Sequence, residues 1–195
     1  MVKKKTLIKL ALFTLFGFSL IGFIIIRSFS VTPINQVLLS GEPLWIQIII
    51  GTSIGLVAAV IGWKIIEQPP LQPVRMFFST LIQNLNLSFS EIILISFCAG
   101  VGEEILFRGA IQPFLGIWIT AIVFVAIHGY LNPYNWRLSV YGIFMTLVIA
   151  GLGYSAEHYG LISAISAHIM IDIYLLYKLT HDKATRESLK EEANI

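Results

Sequence analysis

Long apolar runs separated by short polar punctuation dominate this chain. A membrane-crossing helix needs about 20 mostly apolar residues. Six stretches approach that length: Leu7–Ile26, Leu44–Ile66, Ser90–Leu115, Ile117–Tyr130, Leu138–Ala156 and Leu161–Leu179. The fourth is short, which predicts a re-entrant or tilted segment, or one extended past Tyr130. The pattern predicts an all-α, polytopic transmembrane helical bundle of about six spans, forming one domain over residues 1–195. Between the second and third spans, Gln68-Pro69-Pro70-Leu71-Gln72-Pro73 is a break. The apolar positions of Val74–Leu85 after it predict a segment lying flat at the membrane interface. Residues 180–195 mix acidic and basic side chains and read as a solvated tail.

Composition agrees with this pattern. Charged residues make up 12% of the chain and hydrophobic ones 56%, against about 25% charged in soluble domains. The lipid bilayer is therefore the first partner expected. The net charge of +2 gives no ground for a nucleic-acid partner. Lys3, Lys4, Lys5 and Lys9 place the N-terminus in the cytoplasm by the positive-inside rule. Six spans return the C-terminus to that side. Lys64 and Arg75 then flank a cytoplasmic loop, and Lys178, Lys183, Arg186 and Lys190 fall at or in a cytoplasmic tail. Arg27 is the exception, on the outer side. Leu7–Ile26 is too long for a signal-peptide core and no small-x-small site follows it, so it reads as a retained first span. The single cysteine, Cys98, lies in an apolar run and reads as an inert buried thiol.

Against this background Glu103 and Glu104 stand out. A carboxylate at membrane depth costs roughly 2.5–3.5 kcal/mol on insertion scales. Residues i and i+4 share a helical face, whereas adjacent residues point about 100° apart. Glu104 and Arg108 can therefore pair, leaving Glu103 without that partner and free for chemistry. His128 and His168 lie in other apolar spans, and Asp172 shares the His168 face at i+4. Three spans each carrying an acid or imidazole suggest convergence in a polar cavity. Gly100, Gly102 and Gly109 bracket the acidic pair, either for close helix approach or to make room for a substrate backbone.

These residues carry a resemblance. Glu103, Glu104 and Arg108 fit a Glu-Glu-x-x-x-Arg motif. Phe124 and His128 fit Phe-x-x-x-His, and His168 and Asp172 fit His-x-x-x-Asn or Asp. In that order, from Ser90 to Leu179, the chain resembles the CPBP intramembrane proteases. This group holds CAAX prenyl endopeptidases and bacteriocin-processing or self-immunity proteins, and is also called the Abi family. The resemblance implies a membrane-buried site open toward the cytoplasm, acting on a peptide or protein substrate at the cytoplasmic membrane face, prenylated or not. It implies that Glu103 and His128 activate a water, that His168 and Asp172 stabilise the oxyanion, and that Glu104 and Arg108 support the site. Such roles are chemically sensible: a buried glutamate can shuttle a proton from water to a leaving amine, and an imidazole N–H can donate to an oxyanion. An ionised Asp172 has no donor. It must be protonated, orient His168, or help to hold a cation.

Zinc is the alternative cofactor, with Glu103, His128 and His168 as ligands. No His-Glu-x-x-His occurs, and a metal-free glutamate mechanism is preferred. Two competing functions remain. One is a non-catalytic immunity or scaffold protein that keeps the motif for stability. The other is a small transporter with an acid–imidazole proton relay. His158 and Glu157, at an outer loop, and His181, in the tail, read as solvent-facing. The Trp and Tyr residues near span ends read as an interfacial belt.

Overall fold

The computed structural model describes residues 3–185. Arg186, Lys190 and the rest of the expected tail lie outside the described residues. Among those described there are seven helices: α1 (Lys4–Phe29), α2 (Ile34–Leu39), α3 (Leu44–Ile66), α4 (Gln72–Gln83), α5 (Phe89–Ile127), α6 (Trp136–Tyr159) and α7 (Leu161–Thr180). Five are long and apolar enough to cross a membrane: α1, α3, α5, α6 and α7. The chain is a multi-pass helical membrane protein.

Five crossing helices against six expected spans is a difference with a physical cause. The third and fourth expected spans form the single 39-residue α5. That helix reverses at Gly116, whose φ of 73° and ψ of 168° lie outside the helical region. Positive φ is a conformation glycine adopts without the steric cost of a Cβ. The Phe107 and Phe124 rings pack with centroids 4.9 Å apart, whereas a straight helix would hold those residues about 25 Å apart along its axis. The returning arm, residues 117–127, is about 16 Å long and too short to cross a bilayer on its own. It ends at Ile127, not past Tyr130, because His128 leaves the helix and Gly129 turns at φ 78°.

Polar punctuation sets the other boundaries. Ser88 and Glu91 form a capping box at the start of α5, and Asn135 caps α6 by accepting from the Leu138 N–H at 3.2 Å. After the proline break, α4 occupies the segment expected at the interface. Arg75 of α4 pairs with Asp182, which also accepts from Ser79. Gln83 Nε2 donates to the Leu179 and Asp182 carbonyls. This clasps α4 to the end of α7. The short α2 follows Pro33 and was not expected from the sequence, since six residues carry no readable period.

Both described ends of the chain lie at the same end of the bundle. Lys4 Nζ pairs with Glu91 Oε2 at 3.0 Å beside the start of α5, and Phe89 packs edge-to-face on Tyr177 near the end of α7. The opposite end holds Tyr159, whose carbonyl accepts from the Glu42 N–H at 2.9 Å.

Helix α7 is the hub, packed against α3, α5, α6 and α4. Its closest neighbour is α3, where Gly51 and Gly55 lie directly on the backbone of Ser163 and Ala167. In lipid no hydrophobic drive separates helix faces from solvent, so close van der Waals approach through small residues carries the association. A methyl group at either glycine would collide with a carbonyl oxygen. Gly55→Ala should therefore destabilise the protein by roughly 1–3 kcal/mol, the scale of overpacking. Gly151→Ala, which points into open space, should leave it unchanged. Thermal unfolding in detergent compares the two, and equal melting temperatures would contradict this packing account.

Candidate active site

The site is assembled from both arms of α5 and the middle of α7. Glu103 lies about 21 Å along α5 from Phe89, and His168 about 18 Å along α7 from Thr180. All six residues singled out from the sequence are brought together. Glu104 is fully buried, and its Oε2 is 3.2 Å from Arg108 Nε on the next turn. Its other oxygen, Oε1, accepts from His168 Nδ1 at 2.7 Å. Arg108 Nη2 donates to the Ile149 carbonyl of α6 at 3.1 Å. Arg108 Nη1 has no oxygen partner, but the guanidinium lies over the Phe124 ring at 5.0 Å, a cation–π contact that strengthens where water is absent.

Glu103 points elsewhere, as the 100° offset requires. Its Oε2 is 3.7 Å from His128 Nε2 and 3.8 Å from His168 Nε2. His128 Nδ1 lies 2.7 Å from the Phe124 carbonyl. A carbonyl only accepts, so the Nδ1 carries the hydrogen, and in the neutral ring Nε2 presents a lone pair toward Glu103. Asp172 Oδ2 is 3.7 Å from His168 Nε2, too far for a direct hydrogen bond.

Phe124 is a residue whose role the sequence did not reveal. Its ring stacks on His128 at 4.4 Å, meets His168 edge-on at 5.9 Å, and supports Arg108. The available signal was its place four residues before His128, on the same helical face. Ile149, the acceptor for Arg108, had no signal, since only its backbone takes part.

The glycines around the acidic pair serve helix approach. Gly102 lies against the backbone of Thr14 and Leu15 in α1, and Gly100 against Ile169 of α7. The Gly102 crossing falls on the π-helical turn Thr14–Phe18 of α1, just before a second such turn, Ile105–Ile111, in α5. π-turns in α-helices recur at functional sites. Outside the site, Cys98 is buried and free. His158 and His181 are exposed, each ring bonded to its own helix. Glu157 is exposed but not simply solvated, because its Oε1 accepts from the buried Gln112 at 3.0 Å.

The donor set does not make a ready zinc site. Zinc–nitrogen bonds of about 2.0–2.1 Å bring tetrahedral ligand atoms about 3.3 Å apart, closer than the Glu103–His separations. Among the described residues no three His, Cys, Asp or Glu side chains are grouped so as to hold a metal ion.

The fold and site together define a helical membrane protein with a buried Glu–His centre. A family model described as type II CAAX prenyl endopeptidase Rce1-like matches residues 85–174. That segment contains Glu103, Glu104, Arg108, Phe124, His128, His168 and Asp172, and it is similar to that family. Uncharacterized protein YpbD of Bacillus subtilis (strain 168) is 30% identical over 106 residues, covering 53% of each chain. The chain thus spans about half the length of the curated relative it matches. No solved structure matches it.

The Glu104–Arg108 contact yields a stability prediction. Arg108→Gln leaves a buried carboxylate without its counter-charge, a change worth roughly 3–5 kcal/mol. A clearly lowered melting temperature in detergent is expected. An unchanged one would remove the pair from the account of the fold.

Proposed function

We propose that this protein is an intramembrane endopeptidase in which Glu103 is the general base. The observation that carries this reading is the position of the Glu103 carboxylate, buried between the Nε2 atoms of His128 and His168 on different helical segments. Two acceptors 3.7 Å apart, Glu103 Oε2 and the neutral His128 Nε2, do not bond to each other. A water donating one hydrogen to each bridges them well. In such a water Glu103 takes one proton as the oxygen attacks the scissile carbonyl carbon. The C=O π pair moves to oxygen, forming a tetrahedral oxyanion. Collapse re-forms the carbonyl and expels the amine, which takes the proton back from Glu103.

His168 is the oxyanion donor in this scheme. Its Nδ1–H is committed to Glu104, so donation from Nε2 requires a proton on both nitrogens. The ring is then an imidazolium held by the Glu104 carboxylate, whose charge is shared with Arg108. Asp172 lies too far from His168 to clamp the ring directly. It reaches the oxyanion as a protonated donor or steadies His168 through a second water.

The substrate is a peptide presented at the bundle end that holds Lys4 and Asp182, which the positive-inside rule assigns to the cytoplasm. The mechanism uses no metal. The competing reading is a non-catalytic membrane scaffold or immunity protein that keeps the motif for stability.

Glu103→Gln keeps shape and hydrogen bonding but removes the base. Loss of a general base typically costs about 10²–10⁴-fold in rate. Mass spectrometry of peptides cleaved by the full chain in proteoliposomes should show that loss, with folding retained. Wild-type cleavage should persist in a strong chelator. Full cleavage by Glu103→Gln would end the glutamate mechanism, and chelator-sensitive cleavage restored by zinc would end the metal-free one.

A further inference from the structure

At the Lys4 end, α4 and the segment that follows His128 enclose a groove of about 410 Å³. Its apolar wall includes Val74, Phe77 and Phe78 of α4. Its polar wall is formed by Asn132, Asn135 and Arg137. The two asparagines are oriented by the backbone: Asn132 Oδ1 accepts from the Tyr134 N–H at 2.9 Å, and Asn135 Oδ1 from the Leu138 N–H at 3.2 Å. A backbone N–H can only donate, so each amide oxygen is fixed and each NH₂ is left as an unspent donor. Arg137 rests on the Trp136 ring at 5.0 Å and joins none of the ion pairs among the described residues. The polar wall therefore offers donors and one unpaired positive charge.

Phe78 is shared with a second cavity of about 110 Å³, lined also by Trp63, Tyr130, Tyr141, Leu175 and Asp172. Tyr130 packs on Phe78 at 5.8 Å. Phe78 thus forms a common wall between the donor-rich groove and a small, largely apolar cavity that Asp172 also lines. The complementary ligand has acceptors and a negative charge in the groove and a compact apolar group in the cavity.

We propose that the groove between α4 and residues 131–138 binds a substrate segment bearing an acidic side chain, seating a neighbouring apolar side chain in the cavity beside Asp172. This rests on the endopeptidase reading and adds a substrate class to it. The adjacency to Asp172, which that reading places beside the reacting bond, favours a peptide over a lipid headgroup as the occupant. Arg137 is a specificity residue in this account, exposed and away from the reacting atoms.

The test uses full-length protein in proteoliposomes with a randomised peptide mixture, and reads product sequences by mass spectrometry. Wild-type products should be enriched in Asp or Glu at one fixed distance from the cut. Arg137→Glu should reverse that preference toward Lys or Arg at the same position by roughly fivefold, the scale of a partly exposed charge pair. Phe78→Ala should admit larger apolar residues at a neighbouring position. Cleavage whose preferences ignore residues 137 and 78 overturns the groove and leaves the endopeptidase reading standing. An Arg137→Glu effect confined to dependence on anionic lipid assigns the groove to headgroups and also overturns it. Absence of any wild-type cleavage overturns the endopeptidase reading, and the groove falls with it.

Discussion

A charge buried in the middle of a helical membrane bundle must be neutralised within the protein, and Glu104 is where this constraint acts hardest. Its side chain has no exposure, so bulk solvent does not reach its charge. Arg108 supplies the counter-charge from one turn along the same helix. Arg108 in turn spends a donor on the Ile149 carbonyl, which ties α5 to α6. The second Glu104 oxygen takes the His168 Nδ1–H, which ties α5 to α7. One carboxylate thus fixes the relation of three helices and the orientation of an imidazole. His168 Nε2 faces Glu103 because Nδ1 is already held.

The rest of the architecture serves to bring that network close without water. Gly102 lets α1 settle on the acidic turn, and Gly100 lets α7 do so from another side. The reversal at Gly116 carries Phe124 and His128 back to the level of Arg108, where Phe124 separates and supports three polar groups at once. The two adjacent glutamates therefore differ through their surroundings alone. One is held by an ion pair to Arg108 and a hydrogen bond from His168. The other sees two imidazoles at a spacing suited to an intervening donor.

Much of this was legible in the sequence because lipid imposes strong rules. Apolar runs of spanning length marked α1, α3, α6 and α7, and Leu44–Ile66 matches α3 residue for residue. The Glu104–Arg108 pair came from helical spacing alone. The boundary between the third and fourth expected spans, Leu115 to Ile117, was also visible. The length of the returning arm was not, since nothing in Ile127-His128-Gly129 fixes the depth at which it stops. The π-turns left no readable mark in the apolar pattern. The Glu104–His168 bond spans 64 residues, and no local period encodes it. Seen from sequence, Glu104 had one partner. In the folded chain it has two, and the second gives it a role in orienting His168.

The division of labour between the two glutamates is most directly tested by thermal unfolding of full-length Glu103→Gln and Glu104→Gln in the same detergent. Glu104→Gln strips the buried Arg108 of its counter-charge and should lower the melting temperature by roughly 5–10 °C. Glu103→Gln, which breaks no direct hydrogen bond, should melt within a few degrees of wild type. Equal shifts, or a larger loss from Glu103→Gln, would contradict the account.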